Sequence, residues 1–544
     1  MAGKHNEVGS IIPDAASRRG VWPSPLWMRR LGLLLFAAGF YAYFLHFALD
    51  GLTSWFSHDD LMNLHGSVFR RVWDPAPGKP VFRLVAAPEL IRDNLVLWSA
   101  CQRPMGAAFY HTIYALWGFN PTPFRVTALV LVSLNLWLMF AVVRKISGSV
   151  ETAIWAMSLT GVHEGFVGLY YDTGMIYDVL AFFFYYSALL YYLHLRASGR
   201  LPSSLQTLLL LGLFVAALNS KEIAVSLPFG FLLFEWFWHR PSDFRLRTVA
   251  AWFAGPLRTS LLAGLIDLIY IVGKATGAQS ITNHPAYHPH LSGVLYLQNY
   301  SHYLSLLTYS ERALPAAAML ALLCGMIVAS SISRQRHLKW AACMIVLAFL
   351  PLAFILPRGA AALYVPALPW ALWTAGLAVA LRALLARRLA CCAGWLRAAF
   401  HNSAVAFGLH LATQAALAGL VILWLAPRHA RAFSYVLPVV HDAQNAYRLY
   451  HDQIRMLLPA LPCSARVLVL NDPYPESVVN AMFLISLTFG DPTMTVHLAK
   501  SARTQGLTLD PSGYDAVLDF VPNQFVLRRG PPDPHSPPSR VRLQ

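Results

Sequence analysis

"LGLLLFAAGFYAYFLHFAL", residues 31–49, holds no charged side chain and is close to the roughly 20 apolar residues that cross a bilayer. A second run, "VTALVLVSLNLWLMFAVV" (126–143), repeats the pattern, and others recur along the 544 residues. The composition agrees: 57% of residues are hydrophobic and 12% charged, against about 25% charged in a soluble domain. The chain reads as an α-helical polytopic membrane protein. Its formal charge of +16 does not point to nucleic acid, because Arg and Lys of membrane proteins gather in cytoplasmic loops. The six cysteines show no metal-ligand spacing. The first apolar run follows "RRGVWPSPLWMRR" and is long enough to stay as an anchor rather than a cleaved signal.

About eleven crossings are expected, near 31–49, 125–143, 150–168, 175–195, 204–219, 222–238, 247–270, 314–331, 339–356, 361–381 and 403–425. With a cytoplasmic N-terminal segment (1–30), the inside loops become "RKISGS" (144–149), "RASGRLPSS" (196–204), "HRPSDFRLR" (239–247), "SRQRHLK" (333–339) and "RALLARRLACCAGWLR" (382–397). All are basic, as the positive-inside bias requires. The membrane module spans 31–425, with outer loops at 50–124 and 271–313. Within the first, "PMGAAFYHTIYALWG" (104–118) is too short to cross and reads as an interfacial amphipathic helix. Beyond it, 426–530 reads as a small extracytoplasmic α/β domain. Strands are expected in 465–472, 493–499 and 514–529, with a turn at Pro522-Asn523, and a helix in 477–490. The Pro-rich tail 531–544 reads as disordered. The expected location is a bacterial inner membrane.

Ionisable groups at the ends of spans are costly and mark function. On this topology they collect on the outer side: Asp59 and Asp60, His163 and Glu164, Asp172 and Asp178, Lys221 and Glu222, and Arg358 with Tyr364. Each has a plainer reading. Asp59 and Asp60 suit a solvated loop start as well as a catalytic pair, His163 an interfacial hydrogen bond, Lys221 a loop ion pair, and Arg358 a snorkelling arginine. Asp178, inside "MIYDVLAFFFYYSALLYYL", is harder to excuse without a partner. Together, a carboxylate that takes a proton from a hydroxyl and interfacial cations that neutralise a phosphate leaving group suit transfer from a lipid phosphate.

The ordered set resembles the GT-C glycosyltransferases, polytopic enzymes that take a sugar from a polyprenyl-phosphate carrier on the extracytoplasmic side. "HDD" (58–60) lies where that superfamily has its acidic motif. "QRPMGAAFYHTIYALWGFNPTPFRV" (102–126), "GVHEGFVGLYYDTGMIYDVLAFFF" (161–184), "NSKEIAVSLP" (219–228) and "PRGAAALYVP" (357–366) are similar to motifs of its protein O-mannosyltransferase branch. Glu164 replaces that branch's proline, and an α/β domain stands in place of its TPR array. The resemblance covers roughly residues 30–380. It implies Asp59 or Asp60 as the acid–base position, Asp178 as a supporting carboxylate, and Lys221 and Arg358 on the lipid-linked phosphate. Arg103, His163, Glu164, Glu222 and Tyr364 complete the implied substrate contacts. No cofactor is certain; a divalent cation, if used, would fall on Asp59 and Asp60. Transfer with inversion to an extracytoplasmic protein, lipid or glycan acceptor is the expected activity. The other class weighed is a lipid-linked-sugar flippase or transporter; against it, no inverted repeats are visible and the charges sit at one face rather than midspan. An inert scaffold would not explain Lys221 or Asp178.

Overall fold

The computed structural model describes residues 26–69, 103–276, 287–310, 312–392, 403–475, 478–491 and 493–530. The N-terminal segment before 26, the middle of the expected first outer loop (70–102) and the tail from 531 lie outside them. The described helices begin with α1 (Leu26–Ala48), α2 (His58–Phe69), α3 (Pro104–Trp117), α4 (Pro121–Ser147) and α5 (Val150–Gly161). They continue with α6 (Ile176–Ala197), α7 (Ser204–Leu218), α8 (Leu227–His239), α9 (Leu246–Ala254) and α10 (Arg258–Thr276). Next come α11 (Gly293–Leu307), α12 (Ala316–Ser333), α13 (Arg336–Ala348), α14 (Tyr364–Cys392) and α15 (Ser403–Leu457). Seven described helical segments are long and apolar enough to cross a membrane. The chain is a multi-pass membrane protein.

Several spans differ from the sequence expectation, each for a local reason. The stretch 247–270 is two helices, because Gly255 and Pro256 interrupt it. The stretch 150–168 ends as α-helix at Gly161 and continues as a 3-10 segment, Glu164–Tyr170, with the His163 ring capping Gly165 N–H. The outer loop 271–313 contains α11, formed by the amphipathic stretch "LYLQNYSHYLSLL". The last helix does not stop at 425: α15 runs on to Leu457 through Pro427 and Pro438.

The core is a bundle in which α4 packs on α5 and α6, α5 on α14, α6 on α7, and α13 on α14. Several polar groups inside it are paired, which offsets the cost of burying them in an apolar medium. Trp340 donates Nε1–H to the Gly230 carbonyl at 3.0 Å and Asn135 Nδ2–H to the Val179 carbonyl at 2.9 Å. At one end Arg196 forks onto Glu235 (2.7 and 2.9 Å), which also accepts from the Tyr192 hydroxyl at 2.6 Å. Arg382 meets Glu151 at 2.9 Å, joining α14 to α5.

Past the bundle, β1 (Arg466–Val469), β2 (Thr495–Leu498), β3 (Ala516–Val521) and β4 (Gln524–Arg529) form one sheet in the order β2-β1-β3-β4. β1 is parallel to β2 and β3, whereas β3 and β4 form a hairpin turned at Asn523, whose φ of 65° suits asparagine. The helix between β1 and β2, α16 (Asn480–Phe489), packs against α2, with the Phe483 and His65 rings 4.8 Å apart. The sheet-bearing region therefore buttresses the helix that carries Asp59 and Asp60.

Removing one partner of a fully buried ion pair costs about 3–5 kcal/mol, while replacing both with apolar side chains can be neutral. Arg196→Met should therefore lower the melting temperature in detergent strongly, and Arg196→Met/Glu235→Met should restore most of it. Equal losses in the two variants would mean that the pair is not what holds α6 to α8.

Candidate active site

The short sequence Ser57-His58-Asp59-Asp60 builds a helix start. Ser57 Oγ accepts the Asp60 N–H at 3.1 Å, and Asp60 Oδ2 accepts the Ser57 N–H at 2.9 Å. This reciprocal capping box opens α2 and sends the two neighbouring aspartates in different directions. Asp60 turns inward and is fully buried. Its Oδ2 also receives Arg125 Nη2 at 2.8 Å, and its Oδ1 accepts from the Tyr110 and Thr173 hydroxyls. Arg125, itself buried on α4, spends its remaining donors on the Ser54 and Trp55 carbonyls and on Thr173 Oγ1.

Asp59 points the other way, into a cavity of about 390 Å³. Its carboxylate makes no hydrogen bond to any described residue. Burial pushes it above the usual carboxylate range; His58 works against this and the Asp60 charge adds to it. Asp172 sits behind the pair, accepting Ser57 Oγ at 2.7 Å and Gly174 N–H at 2.8 Å. Burial, and then the charge of Asp60, raise its affinity for a proton, against the pull of Arg125. Gly174 is needed for this close approach: a Cβ there would lie 2.6 Å from that of Asp59 and 2.9 Å from Asp172 Oδ1.

Arg103, Asp178, Lys221, Glu222 and Arg358 line the same cavity. They come from helix ends and the segments between helices, so with Asp59 five stretches far apart in sequence meet at one end of the bundle. Lys221 Nζ reaches both oxygens of Asp178, at 2.5 and 2.7 Å. Arg103 forks onto Glu222 at 3.0 and 2.8 Å and also donates to the Tyr287 hydroxyl at 3.4 Å. Arg358 lies over the Tyr287 ring, 3.9 Å from its centroid, and its Nη2 has no hydrogen-bond partner. Two ion pairs thus cancel four of the charges. Among the described lining residues, the carboxylate of Asp59 and the guanidinium of Arg358 are left without a counter-charge.

The remaining expected site residues lie elsewhere. His163 is buried between Phe166, Tyr309 and Trp370, and Tyr364 packs on Phe182 and Phe166 at the start of α14. Both are buried, at 1% and 2% exposure. Glu164 lines a different cavity. Arg125 and Tyr287 were not singled out from the sequence, although Ser-x-x-Asp at 57–60 is itself a helix-start signal that places Asp60 facing back into its cap. A divalent cation shared by Asp59 and Asp60 does not fit this arrangement, since the oxygens of Asp60 are already committed to a guanidinium, two hydroxyls and a backbone N–H. Among the described residues no group of three or more His, Cys, Asp or Glu side chains forms a ligand set.

Fold and cavity together define a multi-pass membrane protein with a charged, partly apolar cavity at one end of its helical bundle. No family model and no curated protein matches the chain. Among solved structures, it is similar to the crystal structure of ArnT from Cupriavidus metallidurans bound to undecaprenyl phosphate, with a TM-score of 0.48 and 14% identity over 89% of this chain and 92% of that one. The apo structure of the same protein gives a TM-score of 0.44 and 14% identity, over 89% and 93%.

The Asp172 shift has a stability consequence. A carboxyl whose folded affinity for protons exceeds its unfolded one makes the folded state bind more protons, so stability falls as pH rises from the unfolded pKa through the raised one. Asp172→Asn keeps an Oδ1 acceptor and removes the titration. It should raise the melting temperature relative to wild type more at pH 8 than at pH 5; a pH-independent difference would contradict the shift.

Proposed function

We propose that this protein is a membrane glycosyltransferase that moves a sugar from a polyprenyl-phosphate carrier to an extracytoplasmic acceptor hydroxyl, with inversion at the anomeric carbon. The observation that carries this reading is the pairing of charges in the cavity: one carboxylate and one guanidinium, Asp59 and Arg358, stand without counter-charges and face a shared space. The ordered motifs that resemble the GT-C glycosyltransferases supply the substrate class.

In this mechanism Arg358 takes the phosphate of the carrier, its free Nη2 donating to a phosphate oxygen, with Lys221 adding positive charge from its place on Asp178. Asp59 accepts the proton of the acceptor hydroxyl. The acceptor oxygen bonds to the anomeric carbon as the bond from that carbon to the phosphate oxygen breaks, and the electron pair leaves on the phosphate. Entry and departure on opposite faces give inversion in one step. Arg358 and Lys221 stabilise the charge that develops on the leaving oxygen. The raised proton affinity of Asp59 brings it nearer to neutral pH and makes it a stronger base than a solvated aspartate. Asp60, Arg125 and Asp172 hold the start of α2 and do not touch substrate.

Asp59→Asn should cut transfer of a radiolabelled sugar by about 10²–10⁴-fold, the range for loss of a general base, with the melting temperature little changed. Asp60→Asn should instead lower the melting temperature, because Arg125 then loses its buried counter-charge. Full activity in Asp59→Asn would sink the assignment. Because the base must be ionised, activity should rise with pH through an apparent pKa above that of a solvated aspartate. Arg358→Gln should raise KM for the polyprenyl-phosphate sugar; an unchanged KM would remove Arg358 from the phosphate.

A further inference from the structure

The structure assigns a second anion-binding site, built from Arg312, Arg428 and Arg431, which we propose holds the phosphate of an anionic membrane lipid. It stands whether or not the transferase reading holds. The site is a cavity of about 550 Å³, lined also by Glu164, Tyr309 and Ser310. Among the described lining residues, one carboxylate against three guanidinium groups leaves an excess of positive charge, while the Tyr309 and Ser310 hydroxyls are spent on the Leu159 carbonyl (3.3 Å) and the Arg312 carbonyl (2.7 Å). Glu164 and Arg428 both lie near enough to the Tyr309 phenol to act on it electrostatically. Tyr309 itself adopts a left-handed backbone, φ 59°, just past the end of α11.

The neighbouring surface says what the anion is attached to. On α15, Leu420, Trp424, Arg428 and Arg431 follow one another at spacings of three or four residues and share a helix face. Leu420 and Leu423 are 67% and 75% exposed, so the stripe is bare and apolar up to Trp424 and cationic beyond it. Arg428 is fixed at the changeover, donating Nη1–H to the Trp424 carbonyl at 2.9 Å and lying 5.4 Å from the centre of its ring. An acyl chain along Leu420 and Leu423 would bring its headgroup phosphate to Arg428 and Arg431. Interfacial arginines that merely reach for water need no cavity; these line one. It is distinct from the Asp59 cavity: the 3-10 segments Glu164–Tyr170 and Ala360–Leu363 pack between the two, so closely that a Cβ on Gly165 would lie 2.4 Å from that of Ala360.

The test is equilibrium binding of short-chain phosphatidylglycerol, short-chain phosphatidylcholine and inorganic phosphate to the full chain in detergent. Wild type should bind phosphatidylglycerol in preference to phosphatidylcholine. Arg428→Gln/Arg431→Gln should weaken it by on the order of tenfold or more, which is about what losing one charge-assisted hydrogen bond costs. Arg428→Lys/Arg431→Lys, which keeps the charge, should retain most of the affinity and guards against a folding defect. Undiminished binding in the Gln variant would overturn the site. Competition by inorganic phosphate at the same concentration as the lipid would overturn the lipid as its ligand, and loss of binding in Lys221→Gln would move the lipid to the first cavity.

Discussion

The guanidinium of Arg125 is buried at the start of α4 and meets Asp60 at 2.8 Å while tying together the Ser54 and Trp55 carbonyls and Thr173. Three parts of the chain converge on it: the segment that leaves α1, the first turn of α2, and the turn that precedes α6. An ion pair in so apolar a setting is weak evidence for stability in itself, because desolvation offsets most of its Coulomb energy. Its consequence is geometric. With Asp60 locked inward, the helical rotation between consecutive residues turns Asp59 away from the pair and into the cavity. The adjacent carboxylates, chemically alike, are thereby given different surroundings.

The cavity follows the same logic. Lys221 with Asp178 and Arg103 with Glu222 consume each other's charge, and both pairs hold separate chain segments in register at the end of the bundle. What remains is a short inventory. Asp59 has charge and no partner; Arg358 has charge, an aromatic ring beneath it and an unused donor. Groups of opposite sign in one enclosed space but not joined to each other suit a substrate that separates charge as it reacts.

Much of this was legible in the sequence. Apolar runs marked helices that the structure has, as at 31–49, 125–143, 175–195 and 361–381, and the strands and Pro522-Asn523 turn of the C-terminal sheet fell where β-branched residues and turn chemistry put them. Asp178, Lys221, Glu222 and Arg358 were flagged one by one because charge at the end of a span is costly, and Arg103 through the motif resemblance. Pairing was not legible: nothing in "NSKE" says that Lys221 reaches Asp178, 43 residues earlier, rather than a ligand. Nor does spacing show that His163 and Tyr364 pack as core rings, or that Glu164 faces a second cavity. Three-dimensional contacts decide those roles. The helix breaks at Gly255 and Pro256 and the continuation of α15 past Pro427 show the same limit, since tertiary packing can end an apolar run or carry a helix beyond one.

A density map of the protein with a bound polyprenyl phosphate is the most direct test of this account. It predicts the phosphate in the Asp59 cavity, within hydrogen-bond distance of Arg358 Nη2, with Asp60 still paired to Arg125. Phosphate density outside that cavity, or Asp60 swung out to meet the ligand in place of Asp59, would contradict it.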